Sequence, residues 1–490
     1  VIYGVWNYNK NSGEFEEVDQ LTLEWVATIP GKRESRRFEG HYMLKQQDVI
    51  GQRSFEDAVA FGGWALDLHP ADGVYSERSG CTQWHAKGIY DLPYRCYVSK
   101  DIDNLFLAGR IISATHVAFG SSRVMATCGA GGQAVGMAAA ICTQQKLRPA
   151  DLITREPLVH LQNELNLIGQ SIPGIPIQAS SNLLTQARVQ ASSSLRLSNI
   201  PFDGAWLSLK TSAAQLLPMK AGQSYTVTVK LMAEEHTSLE VQLRTSCKPQ
   251  NYTPEVIIES HSYSLEPGEQ ELTIHFSEGL PHDQYGFVTF LSNGKVAIQE
   301  SNWRYTGVLS VFNGVNKAVS NDGSQRPPDG IGIDAFEFWI PNRRPAGKNL
   351  AMTISPAIQA FEVENLGNGY VRPWLSANAF IADPHDPAPK LTIEWEQARL
   401  ISELRLFFDT DYDHAMESTL MGHPEDVMPF CVRNYRIHDL EGKLLVEVKG
   451  NYQTIRRHYL ESGTTVKGLI ISLDHPGRHV PASLFEIIIQ

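Results

Sequence analysis

The sequence predicts a multidomain chain of mixed class, an α/β part followed by two all-β sandwiches of jelly-roll-like form. Three observations carry this reading: an Ala- and Gly-rich helical stretch confined to the first third, period-2 alternation through the remainder, and a Pro/Gly/Ser/Gln-rich break between them. A length of 490 residues also exceeds one ordinary core and suggests about three domains, at roughly 150 residues each.

Residues 1–165 mix short apolar strands, Gly-rich turns and one strong helix. An apolar strand, Leu105 to Ala108, is expected to end at Gly109-Arg110, and Gly120-Ser121-Ser122 to open an Ala-rich helix with Ser121 or Ser122 as its N-cap. The free amides and positive dipole end of such a helix favour an electron-rich ligand. Inside it, Gly129-Ala130-Gly131-Gly132-Gln133-Ala134 satisfies a loose G-x-G-x-x-A string, which in a helix reads as helix–helix close packing rather than phosphate binding. Residues 166–184 form the expected linker, because SIPGIPIQASSNL (Ser171 to Leu183) makes a poor helix and a poor core. Residues 185–345 read as the first sandwich: Tyr225, Val227, Val229 and Leu231 alternate with Thr226, Thr228 and Lys230, and Leu239-Val241-Leu243 and Leu272-Ile274-Phe276 repeat the pattern. After the turn-rich NDGSQRPPDG (Asn321 to Gly330) and Pro341 to Pro345, residues 346–490 read as the second. Its alternating sets are Leu391-Ile393-Trp395, Leu404-Leu406-Phe408, Leu444-Val446-Val448 and Leu469-Ile471-Leu473.

Composition narrows the function classes. Lys plus Arg number 42 against 54 Asp plus Glu, a net charge of −12, so no basic field draws in a phosphate polymer and no nucleic-acid partner is expected. The apolar run around Ala134 to Cys142 is interrupted by glycine and reads as too short for a membrane span, so a soluble protein is expected, its compartment left open between periplasmic, secreted and other settings. Six cysteines (Cys81, Cys96, Cys128, Cys142, Cys247, Cys431) form no C-x-x-C pair and indicate neither a zinc knuckle nor a disulfide framework. VIYGVWNYNK is no signal peptide, and Val1 reads as an internal residue. Asp409-Asp411-Asp413 resembles the start of a calcium loop, but His414 stands where the loop needs Gly and Leu420 where it needs Glu, so no metal is expected. Metalloprotease, α/β-hydrolase and P-loop strings are absent, and Asn251-Tyr252-Thr253 fits a glycosylation acceptor.

One ordered set of motifs goes further. Ala108-Gly109-Arg110, Ser113-Ala114-Thr115-His116, Gly120-Ser121-Ser122-Arg123-Val124-Met125-Ala126-Thr127 and Gly132-Gln133-Ala134-Val135-Gly136 follow one another as in the second cofactor motif of a FAD-dependent oxidoreductase family related to the fumarate reductase flavoprotein group. Pro30 to Arg37, Gly62-Gly63-Trp64 with Asp67-Leu68-His69-Pro70, and Pro93-Tyr94-Arg95 are also similar to that family, so the resemblance covers residues 1–165. It departs from the pattern at Ile112, where the family has Asn, and at Gly131, where Met is usual. The resemblance implies the C-terminal part of a Rossmann-like FAD-binding domain with non-covalent FAD. The glycine-rich pyrophosphate turn that opens the family is not found in residues 1–100, so an N-terminal FAD-binding segment of the same protein is the expected partner.

The same resemblance assigns cofactor contacts to Gly109, Arg110, Thr115, Gly120, Ser121, Ser122, Arg123 and Val124, with the N1/C2=O edge of the flavin at the helix start. His69 and His116 are the candidate acid–base groups, histidine being suited to proton transfer near neutral pH. Arg36, Arg37 and Arg95 offer planar forks of donors for a carboxylate, a sugar hydroxyl or a phosphate; Arg36 and Arg95 are assigned to the substrate, with salt bridging as the plain alternative. Trp64 and Tyr94 either wall the pocket or fill the core. Residues 346–490 resemble galactose-binding-like (discoidin-type) modules through Trp374, Leu391-Thr392-Ile393, Ile401 to Leu406, Tyr435-Arg436-Ile437 and Leu484 to Ile487, which implies sugar binding or rigid packing, the latter favoured. The resulting expectation is hydride transfer between flavin and a small organic substrate, with a carbohydrate or carbohydrate-derived acid as the leading guess. The rival is a non-catalytic glycan- or partner-binding protein that carries a truncated flavoprotein remnant.

Overall fold

The computed structural model describes residues 2–29, 36–77, 80–251, 253–314, 323–341, 348–410, 431–460 and 464–490, in two compact units, Val1–Arg37 and Phe38–Gln490. In the first, helix α1 (Ile2–Asn11) buries none of its residues. The Lys10 ammonium ties it to the following turn by donating to the carbonyls of Val18 at 2.8 Å and Leu21 at 2.9 Å. Of the Pro30 to Arg37 motif, residues 30–35 lie outside the described residues.

The second unit begins with the α/β part. Strand Ala58–Gly62 pairs antiparallel with Tyr90–Pro93, and Leu66–Leu68 with Thr82–Trp84. Beside these ribbons lie the helices α2 (Gln46–Ile50), α3 (His116–Ser122), α4 (Met125–Gln145) and α5 (Arg155–Leu167). The parallel sheet of a complete Rossmann-like domain is not formed among the described residues. The core of this part is built on the buried rings of Tyr90, Tyr94 and Tyr97, packed with Leu44, Val59, Ile141 and Leu161. Two glycines admit those rings: a Cβ on Gly62 would stand 2.4 Å from the Tyr90 ring, and one on Gly131 would stand 2.5 Å from the Tyr97 hydroxyl. Gly131 therefore serves close packing as expected, though its partner is a tyrosine ring rather than a second helix.

The expectation that glycine keeps the apolar run too short is corrected by α4, which is continuous over 21 residues and long and apolar enough, by length and composition, to cross a membrane. Glycine lowers helix propensity by only about 1 kcal/mol, which tertiary packing overrides. Its buried line, Thr127, Gly131, Ala134, Ala138, Ile141 and Cys142, faces the α/β core, while Met125, Gly129 and Gly136 are exposed.

The linker is also more ordered than its composition suggests. It has no helix or strand between Gln170 and Asn182, yet Ile172 and Ile177 are buried, and the Ile177 amide donates to Gly369 O at 2.8 Å.

Alternation locates the strands well. Tyr225–Ala233 buries every second residue from Tyr225 to Ala233, as expected of a half-buried strand. In the middle sandwich, one sheet contains Ala213–Met219, Thr237–Thr245, Val256–Leu265, Gln284–Phe290 and Leu309–Asn313; the other contains Leu197–Ile200, Tyr225–Ala233, Gly268–Phe276, Val296–Ser301 and Met352–Ile358. In the last sandwich, Lys390–Leu400, Tyr435–Asp439, Leu444–Val448 and Thr465–Leu473 form one sheet, and Glu403–Phe407, Ile455–Tyr459 and Glu486–Ile489 the other.

The pairing does not follow the expected boundaries. Arg188–Ala191, expected in the first sandwich, pairs with Lys390–Leu400 of the last; Met352–Ile358, expected in the last, pairs with Tyr225–Ala233 and Leu197–Ile200 of the first. The middle sandwich is thus inserted after the first strand of the C-terminal one. Alternation reports which face of a strand is buried and says nothing about its partner, so an insertion of this kind leaves no local signal. The cores run together accordingly, with Phe407, Phe485 and Ile488 of the last sandwich packed into that of the middle one. The middle sandwich also grips the α/β part: Lys87 Nζ meets Glu255 at 2.5 Å, and Gln52 Nε2 donates to Gln250 O at 3.0 Å.

Candidate functional site

The site is built where α3 lies on strand Leu66–Leu68. Gly120 makes the approach possible, since a Cβ there would stand 3.1 Å from Asp67 O. Ser121, 0 % exposed, donates its Oγ–H to Trp64 O at 2.6 Å and lies 2.8 Å from the Tyr90 hydroxyl, which supplies the second proton of the pair. Arg123 Nη2 donates to Asp67 O at 2.9 Å and lies 3.5 Å from Asp67 Oδ2. The same carboxylate oxygen is 3.9 Å from His69 Nε2, and His69 Nδ1 is 2.8 Å from Gly80 O. Gly62-Gly63-Trp64, Asp67-Leu68-His69 and Ser121-Ser122-Arg123, far apart in the chain, meet here.

Three polar atoms at this junction are buried without a hydrogen-bond partner: Trp64 Nε1, Asp67 Oδ1 and Ser122 Oγ. A buried donor or acceptor left unpaired costs roughly 1–3 kcal/mol, so native folds hold few of them. Ser113 Oγ, in the Ser113-Ala114-Thr115-His116 motif, is a fourth, so unmet hydrogen-bonding capacity gathers in the motif residues.

The start of the long helix departs from expectation. Ser121 and Ser122 do not cap it; they occupy the last turn of α3, whose own cap is Thr115, with Oγ1 accepting from the Ala118 amide at 3.4 Å. Thr115 thereby has a structural task. The N-cap of α4 is Val124, which has no side-chain bond to give, so the amides of Met125, Ala126 and Thr127 precede the first helical bond, from Cys128 N to Val124 O at 2.9 Å. Met125 is 90 % exposed at this end. The expected strand Leu105 to Ala108 reduces to a single bridge between Phe106 and Val98, after which Gly109–Ile111 turns with Gly109 at φ +64° and no atom within 4 Å of where a Cβ would be. Positive φ favours glycine there. Arg110 sits close enough to Cys128 to oppose the burial that raises its thiol. Gly109, Arg110, Val124 and Cys128 therefore surround one open helix end; Cys128, three residues inside a helix that sequence placed elsewhere, was missed.

Arg95 is held bidentate by Asp57, Nε to Oδ2 at 2.9 Å and Nη2 to Oδ1 at 3.0 Å, so salt bridging, the plain alternative, takes most of its fork. His116 is exposed as the first residue of α3. Arg36 and Arg37 are exposed at the end of the other unit. Tyr94 is core, its hydroxyl donating to Pro149 O at 2.9 Å, while Trp64 is half-buried beside the site. Asp91 was not foreseen: 5 % exposed and accepting from the Phe55 amide at 3.0 Å, it has its carboxyl pushed up to about 7 by burial. Asn251, the glycosylation candidate, is buried and donates to Glu255; Tyr252 lies outside the described residues. Asp409 is buried and accepts from Thr306 Oγ1 at 2.7 Å, whereas Asp411, Asp413, His414 and Leu420 lie outside the described residues. Among the described residues no cluster of metal-ligating side chains occurs, and all six cysteines are free.

Comparison with known proteins fits this geometry. Residues 1–165 match the family model described as FAD dependent oxidoreductase, a family whose cofactor is FAD. The match covers the Gly109 turn, both ribbons, α3 and α4. A relation to fumarate reductase flavoproteins is not part of that match. None of the curated proteins matches the chain. Among solved structures, the β-sheet region resembles the family 32 carbohydrate-binding module of Streptococcus pneumoniae EndoD, at 13 % identity and TM-score 0.22, covering 27 % of this chain and 87 % of that one. The family 32 module of C. perfringens NanJ in complex with galactose is similar at 15 % identity and TM-score 0.20, covering 27 % and 86 %. A Ruminococcus gnavus GH29 fucosidase is similar at 11 % identity and TM-score 0.20, covering 26 % of this chain and 22 % of that one. At such scores these likenesses assign no function.

Proposed function

We propose that the α/β part holds the flavin-facing portion of an oxidoreductase site, in which hydride passes between a small organic substrate and non-covalent FAD. The observation that carries the reading is the open start of α4: uncapped amides, the left-handed Gly109 turn and the buried, unpartnered Ser122 Oγ, all within the stretch that matches the FAD-dependent family. These residues fit the polar edge of a flavin, because helix-start amides and the dipole end favour developing negative charge. Gly109, Arg110, Val124 and the amides of Met125 to Thr127 would hold the ring. Ser121, Arg123 and Gly120 brace that helix end from behind. FAD, when bound, supplies the atom that exchanges hydride.

The chain's own contribution is proton handling and positioning. With Nδ1–H donated to Gly80 O at 2.8 Å, His69 directs Nε2 toward the Asp67 carboxylate, 3.9 Å from its Oδ2. His69 is thus the better-supported acid–base residue of the two; His116 is the second candidate, at the exposed start of α3. Arg123 fixes Asp67 from the other side. The glycine-turn half of the cofactor site is assigned to a partner segment of the same protein, and the exposed Met125, Gly129 and Gly136 face of α4 is where it would lie. A carbohydrate or carbohydrate-derived acid is the substrate class proposed, and the attached sandwiches support it.

The test is the visible spectrum of the purified protein supplied with FAD, followed by anaerobic addition of sugars and sugar acids. Protein-bound flavin bands that bleach with one of them, and at least a tenfold loss of turnover in His69→Ala, are expected. Colourless protein that still binds glycans would replace this reading with that of a binding module.

A further inference from the structure

A second concave surface lies away from the flavin-facing helix, between the two sandwiches. Its volume is about 270 Å³, and Met219, Lys220, Asp283 and Gln284 of the middle sandwich face Gln359, Glu362, Ser376 and Asn378, of the segment that leads from Met352–Ile358 into the C-terminal one, across it. Drug-sized pockets run from roughly 300 to 1,000 Å³, so this one has room for a single small ring. Junctions between domains are a preferred place for such sites.

The lining divides into scaffold and free groups. Asn365 donates to Ala360 O and Ala379 O, both at 2.9 Å, and Asn378 to Trp374 O at 2.9 Å, which stitches the C-terminal wall together. Leu375 and Asn378 hold φ +57° and +51°, a conformation that side-chain-bearing residues adopt rarely and that persists where the surroundings impose it. Lys220 and Asp283 neutralise one another at 2.6 Å. What remains is the set of side chains with no hydrogen bond of their own among the described residues: the amides of Gln284 and Gln359, the Ser376 hydroxyl and the Glu362 carboxylate, three of them half-buried. Met219, Leu375 and Pro218 add an apolar edge.

We propose that this cleft binds a single neutral pyranose, free or as the end of a longer saccharide. Two amides and a hydroxyl offer both donors and acceptors, and a carboxylate accepts from two vicinal hydroxyls, while the C–H face of the ring meets Met219 and Leu375. Anionic ligands are disfavoured because the one cation of the lining is already paired and the Glu362 carboxylate is not. The cleft is independent of the flavin reading, and either can fail without the other.

The test is titration of the full chain, by calorimetry or saturation-transfer NMR, with methyl pyranosides of glucose, galactose, mannose and N-acetylglucosamine. A second arm uses the matching oligosaccharides. At least one glycoside should bind saturably, and Gln284→Ala and Glu362→Gln should each weaken it by about tenfold or more at unchanged melting temperature. Ser376→Trp, which fills the cleft, should abolish it. Oligosaccharide bound more tightly than the glycoside, with the same losses, identifies a chain end as the natural source; equal affinity identifies a free sugar. Absence of saturable binding in both arms, or binding that survives all three substitutions, overturns the proposal.

Discussion

Ser121→Ala separates two roles for a residue that sequence resemblance assigned to the cofactor. Its Oγ is fully enclosed, donating to Trp64 O at 2.6 Å and paired with the Tyr90 hydroxyl at 2.8 Å. Removing it leaves a buried carbonyl and a buried phenol short of one bond each. At roughly 1–3 kcal/mol for a buried group left unpaired, and less for a carbonyl with a second lone pair, the loss should be about 2–3 kcal/mol. Tyr90→Phe removes the stranded donor, so the double variant should lose less than the sum of the single ones by about 1 kcal/mol or more. All described α-helices lie within residues 2–167, so urea unfolding followed by helical circular dichroism reports on this part of the chain. An unchanged urea midpoint together with weakened FAD binding would refute the bracing role and restore Ser121 to the cofactor.

Other consequences follow from buried charges. Asp91 rises from 3.8 in the unfolded chain to about 7 in the folded one, because burial disfavours its carboxylate. Its favourable contribution is therefore complete below pH 4 and is lost as pH climbs through 7, a change on the order of 4 kcal/mol at most. Asp91→Asn, which keeps an acceptor for the Phe55 amide, should flatten stability between pH 4 and 8 in a pH series of unfolding midpoints; an unchanged slope would contradict this. Arg95→Ala strips Asp57 of its bidentate partner and should cost about 2–3 kcal/mol, discounted from a fully buried pair because Arg95 is a third exposed. If turnover fell while the unfolding midpoint stayed unchanged, Arg95 would belong to the substrate after all.

How much of this was legible depends on the range of the cause. Alternation in Tyr225–Ala233 and Thr465–Leu473 is written into neighbouring residues, and both strands appear where it put them. The placing of Arg188–Ala191 in the last sandwich rests on a partner some two hundred residues away, which no window reads. At the site, the motif residues were visible but their geometry was not. Thr115 and Val124 as caps, rather than Ser121 and Ser122, follow from α3 docking on Leu66–Leu68 through Gly120, a tertiary contact. The linker misled for a related reason: Ile172 and Ile177 are isolated apolar residues in a polar stretch, and only the two surfaces they meet make them core. Asp91 carries no local signal in the sequence, because its burial and its bond from the Phe55 amide are tertiary.

The flavin-facing helix can be tested most directly by Gly129→Leu. Gly129 is exposed on the first turns of α4, and a Cβ there would meet no atom within 4 Å, so the fold has room for the change and helix propensity should add about 1 kcal/mol of stability. The measurement is FAD retained by the protein, read as visible absorbance per chain, alongside the unfolding midpoint. Lost flavin at equal or higher stability is the predicted outcome. Undiminished flavin binding would mean that neither the cofactor nor the segment proposed to complete its site lies against this helix face.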